Sequence, residues 1–230
     1  IRNNDSVLFE KNAEVTNGTY RLRSIYAGGS GDTISLSAAE GKSIEFRDSV
    51  YIASGLTVEL NADYTDAAGV VHKQTGDLLF TGKYTETHLN ELLAAAGANR
   101  TATAREIFNS RTTMVYAMTN LYGGRLRVED GAVYGGYGIT AMADSVASVL
   151  VKDAALCHDG YDLTFSAGTT LELSGTNGIV GNVVMQENST LRLNASERFG
   201  TTDIVGNLNI DGGVTLSLSN DSAWRCENGV

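Results

Sequence analysis

The sequence predicts an all-β chain wound as a parallel solenoid. Three observations carry that expectation: a pattern returning every 20–25 residues, strand-period alternation inside each return, and the absence of proline from all 230 residues. The clearest copies are DLTFSAGTTLEL (162–173), NVVMQENSTLRL (182–193) and NLNIDGGVTLSL (207–218). They share few identities but one layout. Leu163 and Phe165, Val183 and Met185, and Leu208 and Ile210 alternate with polar or small residues, which is strand spacing. A corner holding Gly168, Asn188, or Gly212 and Gly213 follows, where the chain turns at little steric cost. A second short strand then sets Leu171 and Leu173, Leu191 and Leu193, or Leu216 and Leu218 on one side. Looser copies are RLRVEDGAVYGG (125–136), SVLVKDAALCHDG (148–160) and KSIEFRDSVYIASGLTVEL (42–60).

Repetition at this period means one supersecondary unit stacked on itself. A propeller blade fills roughly 40 to 45 residues with four strands, about twice the unit seen here. Two or three strands of three to five residues plus their corners make one solenoid coil, each about 4.8 Å above the last. Leu191 and Leu216 are then expected to stack inside successive coils, with Thr190 facing out. Average proline usage of about 5% would give roughly eleven in this length. A wall in which nearly every strand has a neighbour above and below explains their absence, because each missing N–H breaks a ladder.

The repeat makes residues 1–230 one elongated unit. The formal net charge is −10 with basic residues scattered singly, so nucleic acid, which needs a clustered positive field, is not an expected partner. No stretch approaches the ~20 apolar residues of a membrane helix, and the start, IRNNDSVLF, has no charged-then-apolar signal. The last residues, SAWRCENGV, alternate like the start of another strand, so the chain reads as an interior piece of something longer. Cys157 and Cys226 are expected about three coils apart, roughly 14 Å at 4.8 Å per coil, beyond the ~7 Å Cα reach of a disulfide.

One region breaks the pattern. Between residues 63 and 113 Leu89, Leu92, Leu93 and Ala96 recur at helix spacing, with Thr85 to cap the start and Gly97 to end it. Thr103 with Glu106 forms a capping box before Ile107 and Phe108. A small helical insertion over 63–113 is expected, either covering a side or end of the solenoid or projecting as a recognition element.

The run GDLLFTGKYTETHLNELLAAAGANRTATAREIFNSRTTMVYAMTNLYGGRLRVEDGAVYGGYG (76–138), with TLRLNASE (190–197), GNLNIDGGVTLSLS (206–219) and SAWRC (222–226), resembles passenger regions of Gram-negative autotransporters and related outer-membrane surface proteins. The likeness covers most of the chain from about Gly76. It implies a right-handed parallel β-helix exported across the outer membrane to the cell surface and held by a C-terminal barrel absent from this sequence. Such passengers include adhesins, proteases and esterases, so the family does not choose an activity.

Residue by residue, chemistry is sparse. The three histidines, His72, His88 and His158, stand in no GxSxG context, and no CxxC or HExxH spacing suggests zinc. In CHDGYD (157–162) adjacent strand residues point oppositely, so Cys157 is expected inside and His158 outside. Glu129 with Asp130, Asp63 with Asp66, and Asp159 with Asp162 are paired acids. A glycosidase needs two carboxylates facing a sugar across ~5 to 9.5 Å, whereas corner Asp residues commonly bond their own turn. Two acids in the Asp63 loop also fall short of the six to eight oxygens calcium takes. The N-x-S/T triplets at Asn4, Asn17, Asn99, Asn188, Asn194 and Asn220 read as corner chemistry. RLR at 21–23 and 125–127 puts two guanidiniums on one strand face, where neighbouring acids commonly match them.

Tyr116, Tyr122, Tyr134 and Tyr137 cluster beside repeated Gly-Gly steps. Each ring has an apolar face and a polar tip, suited either to filling gaps over glycines or to an adhesive patch for a host or environmental glycan or surface protein. No catalytic residue, metal or cofactor is expected. The functional expectation is a non-enzymatic surface stalk or scaffold serving attachment, without membrane contact by this segment itself. The alternative is a carbohydrate-active β-helix enzyme, a polysaccharide lyase or glycoside hydrolase.

Overall fold

The computed structural model describes the backbone of residues 5–9, 13–16, 18–20, 22–27, 33–47, 51–82, 113–143, 145–175, 177–194, 201–205, 207–218 and 223–226. Side chains are described over 33–46, 57–82, 117–143, 145–158, 160–175, 177–194 and 207–217, short of Asp144 and Thr176. Among these residues there is no helix, and apart from one small hairpin the strands pair in parallel. The chain is a parallel β-solenoid.

Each coil has three faces. The third is the simplest: an eight-stranded sheet that takes one strand per coil, among them Ser43–Arg47, Asp77–Thr81, Arg125–Glu129, Ser148–Lys152, Thr170–Ser174, Thr190–Asn194 and Thr215–Leu218. The first and second faces merge into a 13-stranded sheet. They merge because Tyr51–Leu60, Thr113–Leu121, Ala155–Phe165 and Asn177–Met185 run through the bend between them. Register reproduces the repeat: Leu171 pairs with Leu191 and Leu191 with Leu216, the positions that the three sequence copies place in correspondence.

The interior is built from rows of identical phase, the arrangement that alternation at period two demands. Ile44, Leu78, Leu126, Val149, Leu171 and Leu191 form one row on the third face, each at most 2% exposed. Phe46, Phe80, Val128, Val151, Leu173 and Leu193 form the next, at most 3% exposed. Phe46 and Phe80 stack with centroids 4.8 Å apart, and Tyr134 meets Phe80 edge-on at 5.1 Å. The expected inward residues Leu163, Phe165, Val183, Met185 and Leu208 are buried. Leu216 is in register with Leu191 but 47% exposed, because Thr215–Leu218 is the edge strand of its sheet among those described. Ile210, in the same outer layer, is 37% exposed.

The corners between the second and third faces need one left-handed residue, and the sequence supplies it in phase. Gly168, Asn188 and Gly213 occupy the same turn position, with φ of 82°, 63° and 83°. In two of these turns a hydroxyl finishes the job: Thr169 donates to the Ser166 carbonyl and Ser189 to that of Gln186, each at 2.6 Å. The triplet at Asn188 is thus turn chemistry, and Asn194 donates to Glu172 at 2.7 Å.

Two coils are long. Ile44 pairs with Leu78, and Leu78 in turn with Leu126, so more chain separates these partners than separates Leu171 from Leu191. The first excess is the 61–76 loop with the antiparallel hairpin of Tyr64–Thr65 and Val71–His72. Asp77–Thr81 lies within the 63–113 stretch expected to be an insertion, yet it is a wall strand paired on both sides. Parallel pairing restores the wall as soon as the loop has returned to its corner. The expected helices, with Leu89, Leu92, Leu93, Ala96, Ile107 and Phe108, lie outside the described residues.

The first face is withdrawn from solvent on both sides. Tyr134, Leu156 and Ile179 belong to the core cluster, so alternation turns Val133, Ala155 and Val180 outward, yet these are 3%, 4% and 5% exposed. Among the described residues, surface open to a partner therefore lies on the other two faces and their corners. Cys157 is buried. Its neighbour Leu156 is in register with Ile179, Ile204 and Cys226 in turn, three coil steps or roughly 14 Å, which keeps the two cysteines from pairing.

Candidate functional site

The long corner between the second and third faces begins at Asn61. Its φ of 53° turns the chain out of the second face, and its buried amide ties neighbouring coils together. Oδ1 accepts from the Ala38 N–H at 2.8 Å, and Nδ2 donates to the carbonyls of Gly76 and Gly123 at 2.9 and 3.0 Å. Asn at this place satisfies both requirements, since it tolerates the left-handed region and carries both a donor and an acceptor. Gly124 completes the packing: at φ 59°, a Cβ there would lie 2.2 Å from the Gly76 carbonyl oxygen.

The hairpin beyond Asn61 is organised by its acids. Asp66 accepts from the Ala68 and Val70 N–H groups, both at 2.9 Å, and lies 2.8 Å from His72 Nε2. The His72 hydrogen bond and the two backbone donors hold its carboxyl below the usual range. Tyr64 stacks on His72 at 4.7 Å. Asp63 takes the Lys73 ammonium and the Gln74 N–H. Burial pushes its carboxyl up, but these donors hold it below its ordinary value. The two acids considered for calcium are therefore used by the loop itself.

Two grooves flank this corner. The first, of about 600 Å³, is lined by Lys42, Ser43, Asp77, Arg125, Arg127 and Ser148 over a Leu79 floor. Arg125 clasps Asp77 through Nε and Nη2 at 3.0 and 3.1 Å. Arg127 reaches Asp77 at 2.8 Å and Glu129 at 2.7 Å. Burial pushes the Asp77 carboxyl up, but the two guanidiniums outweigh it and hold the group ionised. The second groove, of about 630 Å³, is lined by Glu59, Asp63, Lys73, Tyr122 and Met142. Burial and the Glu59 carboxylate push the Tyr122 phenol up, and its hydroxyl donates to Glu59 at 3.4 Å. Thr75, Ser145 and Val146 line both grooves and form the ridge between them. Val146 is 82% exposed at φ 50°, an uncommon conformation for a β-branched residue.

The four tyrosines do not share one surface. Tyr122 lines the second groove. Tyr134 is 1% exposed inside the solenoid, where its hydroxyl shares a hydrogen bond with Thr119 at 3.0 Å, so its ring packs the core and is not presented to a ligand. Tyr137 is half-buried in the bend between first and second faces, packed on Tyr161 of the next coil at 4.8 Å. The side chain of Tyr116 lies outside the described residues. Tyr161, 39% exposed, is a surface aromatic that sequence reasoning passed over. Its signal was available: Tyr161 follows Gly160 as Tyr137 follows Gly136, one repeat apart.

The expected Cys157-in, His158-out geometry is corrected. His158 is fully buried, with Nδ1 2.7 Å from the Tyr137 carbonyl oxygen and Nε2 without a partner among the described residues. Leu156 takes the interior, so alternation turns Cys157, in register with Val180, to the outer side of the first face and His158 inward, its ring 6.0 Å from that of Tyr134. Burial lowers the imidazole pKa to about 4, against the smaller upward pull of the carbonyls of Tyr137 and Gly136. It is a neutral packing group. Comparison with protein-family models, curated proteins and solved structures finds no match for the chain.

Proposed function

We propose that this chain is a segment of a cell-surface β-helix of the autotransporter-passenger type, serving attachment to a glycan or surface protein. The hand in this reading is right-handed, as parallel crossovers almost always are. Export across the outer membrane and anchoring by a C-terminal barrel belong to the same reading.

The observation that carries the non-enzymatic part is the pairing of charge along the long corner. Asp77 is committed to Arg125 and Arg127, Asp63 to Lys73, and Asp66 to His72. All three carboxyls are held below their ordinary values. Glycoside hydrolysis needs a carboxyl kept protonated near neutrality, hence a raised pKa. Paired, ionised groups on a rigid wall suit recognition instead. The enzyme reading keeps one supporting observation, that Glu59 and Asp63 line a single groove beside Tyr122.

The localisation is tested by expressing the full-length gene product in Gram-negative cells. Antibody against this segment is expected to label intact cells, and added protease to remove the label. Labelling only after lysis would contradict the proposal.

A further inference from the structure

We propose that the first corner groove binds the carboxylate of an acidic sugar, with the neighbouring neutral sugar lying across the Val146 ridge in the second groove. This deepens the attachment reading, on which it rests, by naming its ligand class.

The charge balance comes first. In a chain of net charge −10, this groove is lined by Lys42, Arg125 and Arg127, with Asp77 as the one lining acid among the described residues. Of the neighbouring acids, Glu129 takes Arg127 Nε and Glu45 stands in register with Leu79, so the cationic groups left facing the groove are Lys42 and the open edge of Arg125. Lys42 is exposed and forms no ion pair among the described residues. Arg125 spends Nε and Nη2 on Asp77 and leaves its other terminal nitrogen for a ligand, with the side chain 52% exposed. The clasp fixes the guanidinium plane in advance, which lowers the ordering cost of binding a planar carboxylate.

Shape and neighbours point the same way. Ser43 and Ser148 bring hydroxyls to the lining, and Leu79 offers an apolar floor for the C–H face of a ring. A volume of about 600 Å³ falls within the roughly 300–1,000 Å³ of small-molecule sites. Across the ridge the charge reverses, with Glu59 and Asp63 against Lys73. Carboxylates there accept from sugar hydroxyls and repel a second anion, so the adjacent unit is neutral. Val146 stands between the grooves, exposed and in a strained conformation. A sugar face crossing the ridge would cover it.

The test is isothermal titration of the purified chain with two acidic probes, sialyllactose and a hexuronate-hexose disaccharide, against lactose and sulfated lactose. At least one acidic probe is expected to bind at least about ten-fold more tightly than lactose, and more weakly as salt rises. Lys42→Ala and Arg125→Gln are each expected to weaken it about ten-fold with an unchanged melting temperature. Arg125→Lys should restore little, because the planar fork is lost. Binding of neither acidic probe, equal binding of lactose, equal or tighter binding of sulfated lactose, or unaltered affinity in both variants would each overturn the assignment. Cells whose full-length protein carries Lys42→Ala and Arg125→Gln separate the two readings. Undiminished attachment by them would overturn the groove assignment and leave the attachment reading standing. Tight titration by a protein that never reaches the surface would do the reverse.

Discussion

Asn61→Ala is expected to be a costly corner substitution, because the residue is 1% exposed, and its cost can be worked from the geometry. The wild-type amide makes three hydrogen bonds, to the Ala38 N–H and to the carbonyls of Gly76 and Gly123, and all three partner residues are buried. Gly76 keeps a second partner, the Arg125 N–H at 3.1 Å, so truncation orphans two groups. Orphaned buried groups cost ~1–3 kcal/mol each. Placing alanine at a φ of 53° adds ~1 kcal/mol, since it lacks the polar side chain that lets Asn sit there. The sum is about 3–7 kcal/mol, a large share of a typical stability. Asn61→Gly relieves the backbone part and should be about 1 kcal/mol milder. Urea denaturation followed by circular dichroism gives the total, and amide exchange at Ala38 localises it. A loss below about 1 kcal/mol, or undiminished protection at Ala38, would refute the coil-bridging role.

The inward and outward assignment is checked by Leu191→Asp, which buries an unpaired carboxylate at a site 2% exposed and should cost several kcal/mol. Thr190→Asp, on the opposite side of the strand, should cost under about 1 kcal/mol, and equal losses by thermal denaturation would overturn the assignment. For His158 the folded-state pKa is lowered from 6.5 to about 4, so the unfolded chain binds the extra proton first. Its contribution is complete above about pH 6.5 and is lost as pH falls toward 4, up to about 3 kcal/mol at ~1.36 kcal/mol per unit. His158→Phe should flatten that part of the stability profile, and an unchanged slope between pH 4 and 6.5 would count against a buried neutral imidazole.

Much of the wall was legible because a solenoid writes its structure into local spacing. The offsets between repeats reappear as pairing register, and Gly168, Asn188 and Gly213 mark the corners where the backbone needs φ above zero. What local spacing does not carry is phase in a glycine-rich strand. In VYGG, Val133 and Tyr134 have equal claim to the interior, and only packing against Phe80 shows that Tyr134 takes it. The clasp of Asp77 by Arg125 joins residues far apart in the chain, across a long coil, a partnership that exists only once the register is known. At Cys157 and His158 the alternation held but its phase was misread: Leu156 takes the interior, so His158 does too, and Cys157 is buried on the outer side of a face covered on both sides. The grooves were out of reach for a related reason: they are made by residues of three or four consecutive coils stacked at one corner.

The central claim is attachment without chemistry, and one measurement addresses it directly. The purified chain is incubated with immobilised acidic and neutral polysaccharides, and retention is recorded together with reducing ends and unsaturated uronate released into solution. The account predicts salt-sensitive retention on the acidic polymers with no new reducing ends and no unsaturated products. Sustained release of shortened chains, abolished by Glu59→Gln or Asp63→Asn, would contradict it and establish the groove beside Tyr122 as a catalytic site.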